Sequence, residues 1–189
     1  MIYYISDLHL GDSKVFKKCS RPFKDLNEMK DAIASNWNAI VKEEDTVWLL
    51  GDLTGDEAFD SVSVLKTMKG RKNLIIGNHD YGHLEEYRNS GLFETINFIT
   101  LIDDNKRKVC LCHYPIMDWM EFNRNGMLVY GHIHNKTETL NGRAYRQIKE
   151  YYADKSAYNC GVDVTGFRPV TLDQMIELKE KNRNEPFIN

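Results

Sequence analysis

No run of apolar residues in this chain is long enough to cross a bilayer as a helix, which excludes a helical membrane protein. Cysteine is sparse. Cys19, Cys110, Cys112 and Cys160 match neither a small disulfide scaffold nor a paired C-x-x-C zinc site, and they read as reduced thiols. Excess charge of one sign is lacking too: a formal −3 gives no bulk attraction to nucleic acid or to an anionic membrane. There is no internal repeat, low-complexity block or linker, and no basic, apolar leader stands before the first strand. The expectation is one cytoplasmic domain over residues 1–189, with a short polar tail at 182–189.

What is present is an ordered alternation of elements. Residues 1–5 read as a buried strand, and 11–24 as a loop carrying Lys14, Lys17, Lys18, Arg21 and Lys24. Asp25 with Glu28 forms a capping pattern, followed at helical spacing by Leu26, Met29, Ile33, Trp37 and Ile40. A strand is expected at 46–50, a helix at 56–68 and a strand at 73–76, an order that favours a parallel sheet with crossover helices. Strands at 95–102 and 108–112 read as a hairpin, with further strands at 127–130, 143–148 and 157–160. Thr171 and Gln174 open a last helix. The reading is an α/β domain with a parallel front half and an antiparallel back half.

Histidine is scarce as well, at six residues, and His83 reads as an ordinary surface or core histidine. The other five stand in short polar signatures. These are Asp7-Leu8-His9, Gly51-Asp52, Gly77-Asn78-His79-Asp80, Cys112-His113 and Gly131-His132-Ile133-His134, each placed after an apolar, strand-like run. Alternation along an extended chain puts positions i and i+2 on one side, which would aim Asp7 and His9 at a common point, and likewise His132 and His134. Two aspartates, one asparagine and four histidines exceed what a closed four-ligand zinc site needs. With Asp52 shared, they suit two divalent ions about 3.5–4 Å apart. The mixed nitrogen and oxygen set argues against Mg²⁺ and Ca²⁺ and leaves Mn²⁺, Fe, Zn²⁺ and Co²⁺ or Ni²⁺ open, with Mn²⁺ the expected ion. Two cations sharing a water would lower its pKa from about 15.7 toward about 7, supplying a bridging hydroxide as nucleophile. His79, adjacent to Asn78, is the candidate general acid, with Asp80 to orient its ring.

These residues resemble the calcineurin-like metallophosphoesterase superfamily, whose pattern runs D-x-H, GD, GNH[DE], H and GHxH, and in particular its small stand-alone bacterial or phage members. The resemblance implies a two-sheet β-sandwich flanked by α-helices, with the site at the carboxyl ends of the strands. It also implies Asp7, His9 and His134 on one metal, Asn78, His113 and His132 on the other, and Asp52 between them. Where some members carry a histidine just after the glycine of the first signature, this chain has Asp12.

Specificity must then lie in the loops. Arg21 is the best bidentate candidate for a second phosphate, against the reading of its loop as merely solvated. Tyr114 or Trp119 is placed to stack on a substrate ring, against plain core packing. The expected activity is phosphodiester hydrolysis of a nucleotide or similar small phosphoester. A metal-dependent nuclease, a phosphomonoesterase and a non-catalytic interaction scaffold are the alternatives. Nucleic acid is the less favoured partner, no membrane is expected, and the oligomeric state is open.

Overall fold

The computed structural model describes residues 1–55, 59–134 and 140–184. Apolar strands separated by helices wind the first half into a parallel sheet in the order β1 (Ile2–Ile5), β2 (Thr46–Leu49), β3 (Arg71–Ile75) and β4 (Phe93–Asn97). Parallel pairing requires crossovers. Among the described residues these contain α1 (Ser13–Lys18) and α2 (Leu26–Ile40), then α3 (Ser61–Lys66), then a 3₁₀ turn at Tyr81–His83 running into α4 (Leu84–Asn89).

The longest of these, α2, starts where Asp25, in extended backbone, accepts the Glu28 N–H. Its buried stripe is Met29, Ile33 and Trp37, as the spacing predicted, and the Trp37 indole N–H donates to the Lys69 carbonyl at 2.9 Å. Truncating a buried tryptophan like this costs about 3–5 kcal/mol. Two expectations here need revision. The 11–24 segment contains α1, because the Asp12 carboxylate caps it by accepting the N–H groups of Lys14 and Val15. The expected helix at 56–68 is present only as Ser61–Lys66, capped by Asp60, while residues 56–58 lie outside the described ones.

The chain changes sheets at Phe98, which splits the strand expected at 95–102 into β4 and β5 (Ile99–Asp104). β5 pairs antiparallel with β6 (Arg107–Cys112) across a two-residue turn, with Asn105 and Lys106 at φ 49° and 66°. β7 (Met127–Tyr130) and β8 (Ala157–Asn159) then add in parallel, so only the hairpin of the back half is antiparallel. The connection from β7 to β8 is α5 (Leu140–Tyr151), which takes in the segment expected as a strand at 143–148. Its Ala, Arg, Gln, Lys and Glu residues are better helix formers than strand formers. α6 (Val162–Thr165) and α7 (Leu172–Asn184) close the chain. Thr171 and Gln174 cap α7 reciprocally, and residues 182–184 of the expected tail belong to it.

The strand period of two sorts the core. Tyr3, Ile5, Val47, Leu49 and Leu74 face α2, while Tyr4, Trp48, Leu50 and Ile75 face Val109, Leu111 and Val129 of the second sheet. Cys110, Cys112, Leu128 and Tyr130 pack outward against Trp119, Ile133 and Tyr152. The architecture is the two-sheet sandwich with flanking helices that the resemblance implied. All four cysteines are free thiols, with Cys110, Cys112 and Cys160 buried. No helix among the described residues is long and apolar enough to cross a membrane.

Candidate metal centre

Each polar signature follows a strand, and all five converge where the two sheets meet. β1 delivers Asp7 and His9, β2 delivers Asp52, β3 delivers Asn78 and His79, β6 delivers His113, and β7 delivers His132 and His134. The convergence is not achieved by strand alternation, contrary to the i, i+2 argument. Asp7, His9, Asp52, His132 and His134 all adopt left-handed backbone, with φ of 61°, 47°, 55°, 69° and 41°. Such conformations are costly for residues with a Cβ, and they persist only where the surroundings over-determine them.

The surroundings here are backbone hydrogen bonds between neighbouring loops. Asp7 N–H donates to the Gly51 carbonyl and His9 N–H to the Asp52 carbonyl, both at 3.0 Å. His132 N–H donates to both oxygens of the Asp7 carboxylate, at 3.1 and 2.9 Å, and His79 N–H donates to Asp52 Oδ1 at 2.9 Å. The approach is so close that a Cβ on Gly131 would lie 2.0 Å from Ser6 Oγ and 2.6 Å from Asp7 Oδ2. A Cβ on Gly77 would meet Asp52 Oδ1 at 2.3 Å.

Two clusters result, Asp7 with His9 and His134, and Asp52 with His113 and His132. Within each, the ligand atoms lie within 4.8 Å of one another. Asp52 Oδ2 joins them, at 3.5 Å from both His9 Nε2 and His113 Nε2. Asn78 Oδ1 lies 3.2 Å from His113 Nε2, and His134 Nε2 lies 3.7 Å from Asp7 Oδ1. His113 Nδ1 donates to the Leu50 carbonyl at 2.6 Å, which directs Nε2 toward Asn78 and Asp52.

A pair of cations fits this donor set on two observations. His9 is 1% exposed, and its ring nitrogens make no well-formed hydrogen bond, with only the carboxylates of Asp12 at 3.3 Å and Asp52 at 3.5 Å beside them. An orphaned buried imidazole is expensive unless something binds it. Secondly, nitrogen and oxygen donors of both clusters converge on the Asp52 carboxylate. Burial would raise the Asp7 carboxyl, but the imidazoles of His113, His134 and His9 hold it below its ordinary value. His132 is lowered by burial and by neighbouring His113.

The family profile of the calcineurin-like phosphoesterases matches residues 1–182. The chain belongs to that family. Membership supports a metal-dependent phosphoesterase and implies divalent metal cofactors. The chain is 30% identical to the uncharacterized protein MJ1445 of Methanocaldococcus jannaschii over 194 residues, covering all of this chain and 96% of the relative. It is 25% identical to the Gene 66 protein of Mycobacterium phage L5, covering 93% and 92% of the two chains. The structure of AQ665 from Aquifex aeolicus superimposes with a TM-score of 0.71 at 25% identity, over 94% of this chain and 98% of that one.

Two side chains differ from their expected places. Arg21 is 4% exposed, and its guanidinium donates to both carboxylate oxygens of Asp163 at 3.0 Å and to the Asp7 and Leu8 carbonyls at 2.7 Å. With those donors engaged below the floor of the site, Arg21 is not presented to a second phosphate. Asp80 does not hold the His79 ring. Its buried carboxylate accepts the N–H groups of Asp52, Leu53 and Gly77 at 2.8–3.0 Å, pinning two of the ligand loops together. The carboxylate near His79 is that of Asp12, in one cluster with His9 and His79 and 3.3 Å from His9 Nδ1.

Asp163 was missed by sequence reasoning. It accepts from His134 Nδ1 at 2.7 Å, which leaves Nε2 for a metal. Its signal is a lone aspartate in Gly161-Val162-Asp163, whose partners lie 29 and 142 residues away. Trp119 is a core residue, 6% exposed and donating to the Gly126 carbonyl. Tyr114 is 36% exposed, with its ring 5.0 Å from that of His113 and 4.9 Å from that of His132. His83 is buried, stacks on Tyr87 and lies 3.3 Å from Glu86, in keeping with its ordinary reading.

Proposed function

We propose that the protein is a two-metal phosphodiesterase acting on a nucleotide or similarly small phosphoester. The observation that carries this reading is the Asp52 carboxylate, equidistant from a histidine of each cluster. Asp7, His9 and His134 would hold one ion, and Asn78, His113 and His132 the other, with Asp52 shared. Mn²⁺ suits the mixed donors, with Fe, Zn²⁺, Co²⁺ and Ni²⁺ compatible. When bound, such ions neutralise phosphate charge and acidify a shared water.

The chain's own residues do the rest. His9, Asp7, Asp52 and His113 are all 2% exposed or less and form a buried floor, while His79 stands exposed at its rim. Fixed dipoles and charges in a buried floor act more strongly than in water. His79 is held by its own N–H on Asp52, and its ring lies 4.9 Å from that of His9, at 76°. That position suits it to give a proton to the departing ester oxygen. The Asp12 carboxylate sits beside it, in one cluster with His9.

The test is hydrolysis of bis-p-nitrophenyl phosphate and p-nitrophenyl phosphate by chelator-stripped protein reloaded with Mn²⁺. Diester turnover that requires Mn²⁺ is the expected result. A monoester preference would replace the diesterase reading, and two bound metals without turnover of either ester would leave a non-catalytic scaffold. His79→Ala should keep both metals and lose about 10²–10⁴-fold activity on alkyl esters. Esters with a nitrophenolate leaving group, which needs no proton, should lose much less, and equal losses on both would remove His79 as the acid.

A further inference from the structure

The polar floor is bordered on one side by exposed apolar side chains that neither the metal centre nor the core explains. Tyr81 and Phe98 are each 54% exposed, Ile99 44%, Tyr114 36% and Met117 69%. They come from three stretches of chain, after β3, at the crossing between the sheets and after β6, and Tyr81 lies within electrostatic reach of Tyr114. Tyr81 lies two residues beyond His79, after β3. Phe98 is the residue at which the chain leaves the first sheet, and Ile99 pairs with Cys112, the neighbour of His113. Tyr114 follows His113 directly. The Tyr81 and Phe98 rings lie 6.1 Å apart, tilted by 38°, and so form a shelf rather than a closed stack. Exposed apolar groups scattered singly need no explanation, but a cluster beside a polar site does.

Charge narrows the occupant. From His113 to Asn123 the chain carries Asp118 and Glu121 and no lysine or arginine. A strand of nucleic acid needs cations along its backbone, and this segment, which ends before Arg124, contributes none. A single flat ring needs only π-faces and hydroxyls, which the rim offers.

We infer that Tyr81, Phe98 and Tyr114 form a stacking subsite for the nucleobase of a mononucleotide ester whose phosphate lies on the metal centre. The inference rests on the phosphoesterase reading and adds the substrate class to it. Stacking on one aromatic ring is worth about 1–3 kcal/mol by alanine substitution, or roughly 5- to 150-fold.

The experiment compares thymidine 5′-(p-nitrophenyl phosphate) with methyl p-nitrophenyl phosphate, using the full chain loaded with Mn²⁺. The expected result is a preference of about tenfold or more for the nucleoside ester, expressed in KM. The ratio of the two kcat/KM values should fall by about fivefold or more in Phe98→Ala and in Tyr81→Ala, with Phe98→Tyr restoring it. A second readout, independent of turnover, is equilibrium binding of thymidine 5′-phosphate against deoxyribose 5-phosphate, with the same ordering among variants. Equal kcat/KM for both esters, or a preference untouched by Phe98→Ala and Tyr81→Ala, overturns the subsite and leaves the phosphoesterase reading standing. No turnover of either ester overturns that reading instead, and equal binding of the two phosphates then removes the subsite as well. Loss of a dimer in Phe98→Ala, seen by size-exclusion chromatography without any change in these ratios, would make the rim a protein interface and overturn the inference.

Discussion

Replacing Asp163 with asparagine tests the support beneath the site without touching a proposed ligand. The wild-type carboxylate accepts three hydrogen bonds, from His134 Nδ1 at 2.7 Å and from Arg21 Nε and Nη2 at 3.0 Å. An asparagine Oδ1 can serve at most part of this set, and its NH₂ must face either an imidazole N–H or a guanidinium. Two losses should follow, and they can be measured apart. Carboxylate partners of ligating histidines are worth about 10–100-fold in metal affinity, or about 1.4–2.7 kcal/mol. Breaking a buried ion pair outright costs about 3–5 kcal/mol. Arg21 keeps its bonds to the Asp7 and Leu8 carbonyls, and asparagine keeps one acceptor, so about 2–3 kcal/mol is the reasonable share here. Titration of Mn²⁺ into metal-free protein reads the first loss, and urea unfolding in excess chelator reads the second. An Asp163→Asn variant that binds Mn²⁺ within about twofold of wild type would refute the link from Asp163 through His134 to the metal. Normal metal affinity combined with lowered stability would assign Asp163 to Arg21 alone.

Further expectations follow from the same geometry. Asp80→Ala should cost about 3 kcal/mol or more, because three backbone N–H groups lose a buried acceptor, and metal binding should fall with it. Unfolding free energy and metal content of the purified variant check both, and a stable, fully loaded Asp80→Ala would show that the loops hold without it. In the metal-free protein His134 is pushed up to about 10, because the Asp163 hydrogen bond outweighs the lowering effect of burial. Its pKa when folded is above its unfolded value of about 6.5, so its stabilising contribution is complete below about pH 6.5 and is lost as pH rises toward 10. The stability advantage of metal-free wild type over His134→Gln should therefore shrink across that window. An advantage that grew with pH would contradict the assignment. Gly131→Ala should yield protein with little bound metal, since the added methyl group collides with Ser6 and Asp7, and metal analysis at wild-type levels would contradict the packing.

Much of this was legible in the primary structure, for a physical reason. Metal chemistry demands particular side chains, and Asp7, His9, Asp52, Asn78, His113, His132 and His134 cannot be disguised by propensity. The strands that carry them are short apolar runs ending in polar turns, so their existence was plain as well. What stayed hidden depends on distance or on burial. Arg21 among lysines reads as one more solvated cation until Asp163 arrives from far along the chain to pair with it. Asp80 next to His79 invites a side-chain partnership, but its three bonds are to backbone, which no residue pattern displays. Pairing direction in the second sheet was hidden likewise. Only the Asn105-Lys106 turn signals antiparallel geometry, and β7 and β8 carry no local mark of the parallel neighbours they join.

The strand-switch at Phe98 has a consequence for how the molecule holds together. Asp7, His9, Asp52 and Asn78 hang from the first sheet, and His113, His132 and His134 from the second. An ion gripped from both sides would then be a rivet through the sandwich, reinforcing two layers that share apolar contact, the crossing at residue 98 and hydrogen bonds such as Ser6 N–H to the Cys160 carbonyl. Loading such a rivet at about a hundred times its dissociation constant adds about 2.7 kcal/mol to the folded state. Stripping it should loosen the layers along the seam first, so amide exchange in the loops after β1, β2, β6 and β7 would quicken before that of the buried strands.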